Sequence, residues 1–185
     1  MDILERNASV IMTTAHLDQT PLNSFSDGYG MRWYQPGDED TWVQVQGASD
    51  RFNTITRELF IKAFGTDEKV LAERVGFLVD PAGHAIGTAT AWIDPHWHGR
   101  TIGQVHWVAI VPEQQGKGLA KPMLSAVCQR LLQLGQTEAY LETSTGRIPA
   151  INLYRSFGFE PVITNEAERA LWREVGPHLK VPLDV

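Results

Sequence analysis

The sequence predicts a mixed α/β (α+β) fold, and three stretches of the chain carry that prediction. Val105–Val111 is a near-continuous apolar run, the pattern of a buried strand. Leu119, Met123, Val127, Leu131 and Leu134 form a helical stripe that stops at Gly135, a residue suited to the left-handed C′ position. Ala139–Thr143 reads as the next strand. It is followed by Ala150, Leu153, Tyr154 and Phe157 at helical spacing, with Gly158 placed to end that helix. Strand, helix, strand, helix in that order describes one layered core, and 185 residues suffice to bury it in a single domain.

The remaining elements follow in order. Residues 1–29 are polar and weakly periodic, so they are expected as an N-terminal extension that either packs on the domain (residues 30–185) or stays mobile. Met31–Tyr34 is strand-like and closed by Pro36-Gly37. Asp38 or Asp40 is expected to cap a helix to about Ala48, and a second helix is expected from Asn53 to Phe64. Arg74–Val79 and Ile86–Ile93 flank the turn signal Asp80-Pro81-Ala82-Gly83 and read as a hairpin. Asp94–Gly103, rich in His, Trp and Gly, is expected as a loop. Pro122 and Pro149 fall in first helical turns, where a missing N–H is tolerated. One or two strands are expected after Phe159.

Composition sets limits on function. A hydrophobic content of 43% and a charged content of 21% are those of a soluble globular domain. The net charge of −6 argues against general nucleic-acid binding and is compatible with a cationic acceptor. No apolar run approaches the ~18–20 residues of a membrane span. The N-terminus lacks a secretory h-region. The single cysteine, Cys128, excludes an internal disulfide and suits a cytoplasmic location.

Between the apolar run and the long helix stands Gln115-Gly116-Lys117-Gly118-Leu119-Ala120. A glycine turn on a helix N-terminus is an anion site, because the first amides lack helical partners and the dipole favours negative charge. Lys117 adds a mobile cation. Lys121 stands where a dinucleotide fingerprint needs its third glycine, and no G-x-x-x-x-G-K-[ST] run exists. The pattern present, Gln115, Gly118 and Ala120 as Q-x-x-G-x-A, resembles the acyl-CoA signature of the GNAT acetyltransferases. Ala150-Ile151-Asn152-Leu153-Tyr154-Arg155-Ser156-Phe157-Gly158-Phe159 is similar to that family's A-x-x-L-Y-x-x-x-G-F segment. The resemblance spans roughly residues 30 to 163.

The resemblance implies a GNAT fold, a mixed, centrally splayed β-sheet flanked by helices with a gap between the fourth and fifth strands. It also implies acetyl-CoA as acyl donor. The pantetheine would run along Val108 and Ile110, and the pyrophosphate would sit on Gln115, Gly116, Lys117, Gly118, Leu119 and Ala120. The acceptor would be a primary amine of a small molecule or peptide, with no nucleic acid, membrane or metal involved. Pairing with a second copy stays open. Where the family often has Asn, this chain has Arg147.

Acetyl transfer needs an amine base, an oxyanion donor and an acid for the leaving thiolate. The family places a tyrosine beside the cofactor sulfur, which assigns the acid to Tyr154. Glu142, twelve positions earlier, matches a catalytic glutamate of the ribosomal-protein N-terminal acetyltransferases. His106 is the competing base; by alternation it shares a strand face with Gln104, Val108 and Ile110. The oxyanion donor is expected among the Val108–Ile110 amides. His96-Trp97-His98 lacks a third ligand and reads as loop rather than metal site. Trp92 and Trp107 read as core, and Cys128 as a buried thiol. A chain that kept the binding motif without acid or base would instead be a non-catalytic acyl-CoA-binding or regulatory module; Tyr154 and Glu142 favour the enzyme.

Overall fold

The computed structural model describes residues 2–183. In chain order the elements are α1 (Ile3–Arg6), β1 (Ser9–Thr14), β2 (Gly30–Trp33), α2 (Asp38–Ser49), α3 (Arg57–Phe64), α4 (Glu68–Arg74), β3 (Val75–Val79), β4 (Ala85–Trp97), β5 (Arg100–Ile110), α5 (Ala120–Gln133), β6 (Ala139–Ser144), α6 (Ile148–Arg155), β7 (Glu160–Pro161) and α7 (Glu166–Val175). The strands form one seven-stranded sheet in the order β2-β3-β4-β5-β6-β1-β7. Neighbours are antiparallel except β5 and β6, which run parallel.

That parallel pair is the feature that positions the site. It is joined only at Gly103↔Ala139 and Gln104↔Tyr140. Beyond those residues β5 continues to Ile110 and β6 to Ser144 without pairing with each other, so the sheet parts into two halves toward their C-terminal ends.

Each face of the sheet has its own core. Phe77 and Leu78, adjacent on β3, enter different clusters, as alternate residues of a strand must. One cluster gathers Tyr34, Trp42, Phe60, Phe64 and Leu71 from β2 to α4. The larger one gathers Met123, Val127 and Leu131 of α5 with Ile151, Tyr154 and Trp172 of α6 and α7. The long helix, both parting strands and α6 match the sequence reading, with Gly135 and Gly158 at φ 82° and 78° closing the two helices.

Several elements differ from the reading. Of the two behaviours open for residues 1–29, packing is what Ser9–Thr14 shows. It forms a strand between β6 and β7, so the signature strand is fifth by chain order. The second helix starts at Arg57, not Asn53, because Thr56 caps it by accepting from the Leu59 amide at 3.2 Å. Neither acid caps α2; Gly37 holds the N-cap, while Asp38 accepts from the Gln35 amide and both terminal nitrogens of Arg32. Asp94–Gly103 is not a loop. β4 and β5 run on to a two-residue turn at His98-Gly99, both with positive φ (46° and 80°), the conformation that suits a tight hairpin. Among the described residues after Phe159 there is a single two-residue strand and then α7.

Candidate active site

The glycine turn is built as expected. Gly116 and Gly118 adopt φ 77° and 78°, a region open to glycine, and Leu119 is buried as the anchor below them. Gln115 Nε2 donates to the Ile110 carbonyl at 2.8 Å and ties the turn to the end of β5. α5 has no side-chain cap at its N-terminus, so its first amides are available to a ligand. A Cβ built on Gly116 or Gly118 meets no protein atom within 4 Å. The turn thus presents backbone to open space, which fits a pyrophosphate. Lys117 Nζ donates to Gln114 Oε1 at 2.7 Å, within reach of the turn.

Below the turn, the expected alternation along β5 fails at one residue. Thr88 pairs with Ala109 and Thr90 with His106, so Ala89 alone opposes both Trp107 and Val108. This is a β-bulge, with Trp107 at φ 49°. It corrects the expected shared face. His106 and Gln104 turn toward α3, with Gln104 Nε2 3.3 Å from His106 Nδ1. Val108 and Ile110 turn the other way, against the core under α5. Val105 is buried, whereas His106 through Ile110 stay half-buried, as a strand edge facing a gap should.

His106 lies against Phe64, with ring centroids 5.8 Å apart, and beside Trp107 at 5.7 Å. Burial among these rings lowers its pKa to about 4, so the imidazole is neutral near pH 7. Where the strands are still joined Tyr140 pairs with Gln104, and two residues on, past the last pair, Glu142 lies on the same face of β6. Glu142 is exposed and accepts from Ser9 Oγ at 2.6 Å.

Tyr154 sits on α6, buried in the large core with Val108 and Ile110 packed against the same cluster. Burial pushes its phenol up to about 12, with Arg147 pulling slightly the other way, so the group holds its proton throughout the neutral range. Its hydroxyl makes no hydrogen bond among the described residues.

Sequence reasoning gave no partner or role to three groups here. Arg147, the N-cap residue of α6, pairs with Asp50, the C-cap residue of α2, at 3.1 Å. Burial works to raise the Asp50 pKa, but the Phe52 amide, the Asn53 side chain and Arg147 overcome it and hold it low. Tyr140 donates to Asp94 Oδ2 at 2.8 Å and carries Trp97 stacked on its ring at 3.8 Å. Gln46 is buried under the bulge. Each depends on partners far apart in sequence, and no local signal marks them.

His96 and His98 lie exposed at the hairpin end, and among the described residues no group of three or more His, Cys, Asp or Glu is placed to hold a metal. No helix among them is long and apolar enough to cross a membrane. Cys128 is buried, its thiol pushed up to about 12 chiefly by that burial. The molecule's concavities include one of about 500 Å³ lined by Thr13, His16, Ser156 and Glu160. It lies near Thr14↔Ala139, the opposite end of β6 from the parting. The parting is a gap between strand edges rather than a hollow, and the glycine turn and the uncapped start of α5 lie at the end of β5 beside it.

Residues 38–159 match the acetyltransferase (GNAT) family. A mycothiol acetyltransferase of Pseudarthrobacter chlorophenolicus is 33% identical over 156 residues, covering 80% of this chain and 47% of that protein. The chain thus spans about half the length of the mycothiol acetyltransferases it matches. Among solved structures, a GCN5-related N-acetyltransferase from Sphaerobacter thermophilus shares the fold with a TM-score of 0.69 at 22% identity, covering 83% of this chain and 48% of that one. The ribosomal-protein-S18-alanine N-acetyltransferase of Escherichia coli shares it with a TM-score of 0.60 at 18% identity, covering 73% and 79%. The chain belongs to the GNAT acetyltransferase family.

Proposed function

We propose that this chain moves an acetyl group from acetyl-CoA to a primary amine of a small molecule or peptide, by direct attack, with Tyr154 as general acid. The observation that carries the reading is that the Gly116–Ala120 turn, at the uncapped start of α5, is tied to the end of β5 where β5 and β6 no longer pair with each other, with Tyr154 in the core against which Val108 and Ile110 pack. Acetyl-CoA, when bound, supplies the activated acyl group as a thioester.

The chain's own residues do the rest. Amides of Gly116 to Ala120 hold the pyrophosphate, with Lys117 as a mobile partner, and the β5 edge at Val108 and Ile110 offers backbone groups to the pantetheine arm. Tyr154, protonated at neutral pH, donates its proton to the departing thiolate. Glu142 takes the amine proton, directly or through water, because it is exposed on the α2 to α4 face and held by Ser9. His106 is the weaker base: burial depresses its proton affinity.

The relatives named mycothiol acetyltransferases add a mycothiol-related compound to the acceptors worth testing. The test is acetyl-CoA consumption across small amines, amino acids, aminoglycosides and peptide N-termini, with mass spectrometry of the product. Acetylation of at least one amine class is expected. Tight acetyl-CoA binding with no turnover on any class would replace the enzyme by a binding module.

A further inference from the structure

The bulge at Trp107 is an energetic anomaly with a visible restraint. A bulky residue at φ 49° costs about 1–3 kcal/mol and persists only where its surroundings hold it. The Trp107 carbonyl accepts from Gln46 Nε2 at 2.8 Å and from Thr88 Oγ1 at 2.9 Å. Gln46 Nε2 also donates to Thr88 Oγ1 at 2.6 Å, which closes a three-membered network. Gln46 and Thr88 are 2% and 0% exposed, so these bonds form away from water, where they fix geometry most firmly. Gln46 comes from α2, sixty-one residues before the carbonyl it holds.

A trans peptide sets its C=O and N–H antiparallel, and the described chain has no cis bond. With the Trp107 carbonyl drawn toward Gln46 of α2 and Thr88 of β4, the Val108 N–H in the same plane points away from both. We propose that Gln46 and Thr88 are positioning residues that clamp the Trp107 carbonyl and so aim the Val108 amide into the gap at the carbonyl of a bound thioester. The clamp is pre-formed, so the donor costs no reorganisation when charge develops on that oxygen. This rests on the acetyl-CoA reading given above and specifies how that site is held.

The test uses Gln46→Leu, Thr88→Val and Thr88→Ser in the full chain, with melting temperature, turnover, and calorimetric affinities for acetyl-CoA and for CoA. Acetyl-CoA carries the carbonyl that the amide would meet and CoA does not. Wild type should therefore prefer acetyl-CoA, and Gln46→Leu and Thr88→Val should shrink that preference while CoA affinity stays within about threefold. Turnover should fall about 10- to 100-fold in both variants, and Thr88→Ser, which keeps the hydroxyl, should restore it. Equal losses for acetyl-CoA and CoA, tracking a fall in melting temperature, would overturn the clamp and leave Gln46 as core. An unchanged preference would overturn it too. Wild type that binds both ligands but turns over no amine would remove the transferase reading, and the preference would still judge the clamp. Failure of wild type to bind either ligand would remove both.

Discussion

The two sides of the parting between β5 and β6 are made of different material. On the β5 side the groups offered are main-chain: the edge of the bulged strand, the amides of Gly116 to Ala120 and the uncapped start of α5. On the β6 side they are side chains, and most are held by a partner far along the chain: Glu142 by Ser9, Tyr140 by Asp94, Arg147 by Asp50. A backbone surface looks the same whatever side chains surround it, so it suits an invariant donor. A side-chain surface changes with single substitutions, so under the proposed function it suits the acceptor. The difference teaches where substitutions should hurt binding and where they should hurt chemistry.

The largest effect is expected on the backbone side. Gly118→Val puts a β-branched residue at φ 78° and its side chain into the space before the turn. Acetyl-CoA affinity should fall ~100-fold or more by calorimetry. The added Cβ meets no protein atom within 4 Å, so the loss should far outweigh any drop in melting temperature. Unchanged affinity would take the donor away from this turn.

On the β6 side Tyr154→Phe should do the reverse. It removes a hydroxyl with no hydrogen-bond partner among the described residues, so folding and acetyl-CoA affinity should hold while turnover falls ~10²-fold. Wild-type turnover would make Tyr154 a core aromatic only. Next in size, Glu142→Gln should lower turnover ~10-fold and displace the acidic limb of the pH–rate profile, with His106→Gln doing less. The opposite ranking would hand the base to His106.

The smallest expected effect concerns stability. Burial holds the folded His106 pKa at about 4, below the ~6.5 of an unfolded imidazole. Between those values the unfolded chain takes up a proton that the folded chain refuses. Stability from this group is therefore complete above that window and is lost as pH falls through it. His106→Gln lacks this dependence. Its unfolding free energy, measured in urea, should gain on wild type by ~1–2 kcal/mol as pH falls through that window. A constant difference would show the imidazole to be better solvated than its aromatic neighbours imply.

The glycine turn, with the strand before it and the helix after it, was legible in the sequence because its signals are local. Glycines at positive φ, an apolar run before them and a helical stripe after them lie within about thirty residues. The bulge was not legible: simple alternation assigned Val108 and Ile110 to the face of His106, and the residue that disrupts it is held by Gln46 on a distant helix. β1 was obscured because Ser9–Thr14 mixes Thr and Ser with its apolar residues and gains its identity by pairing with β6. The His98-Gly99 hairpin did leave a signal, a residue-plus-glycine turn between apolar runs, masked by the His and Trp around it. α4 spans only seven residues, too short for a clear period.

The most direct test of the donor site is a backbone-amide NMR titration of the wild-type chain with acetyl-CoA. Saturable shifts should concentrate on Val108–Ile110 and Gly116–Ala120, the two unpaired backbone surfaces on the β5 side of the gap. The Thr13–His16 wall of the 500 Å³ concavity should stay unperturbed. Shifts centred on Thr13–His16, with those of the glycine turn unchanged, would contradict the assignment and move the donor to the opposite end of β6.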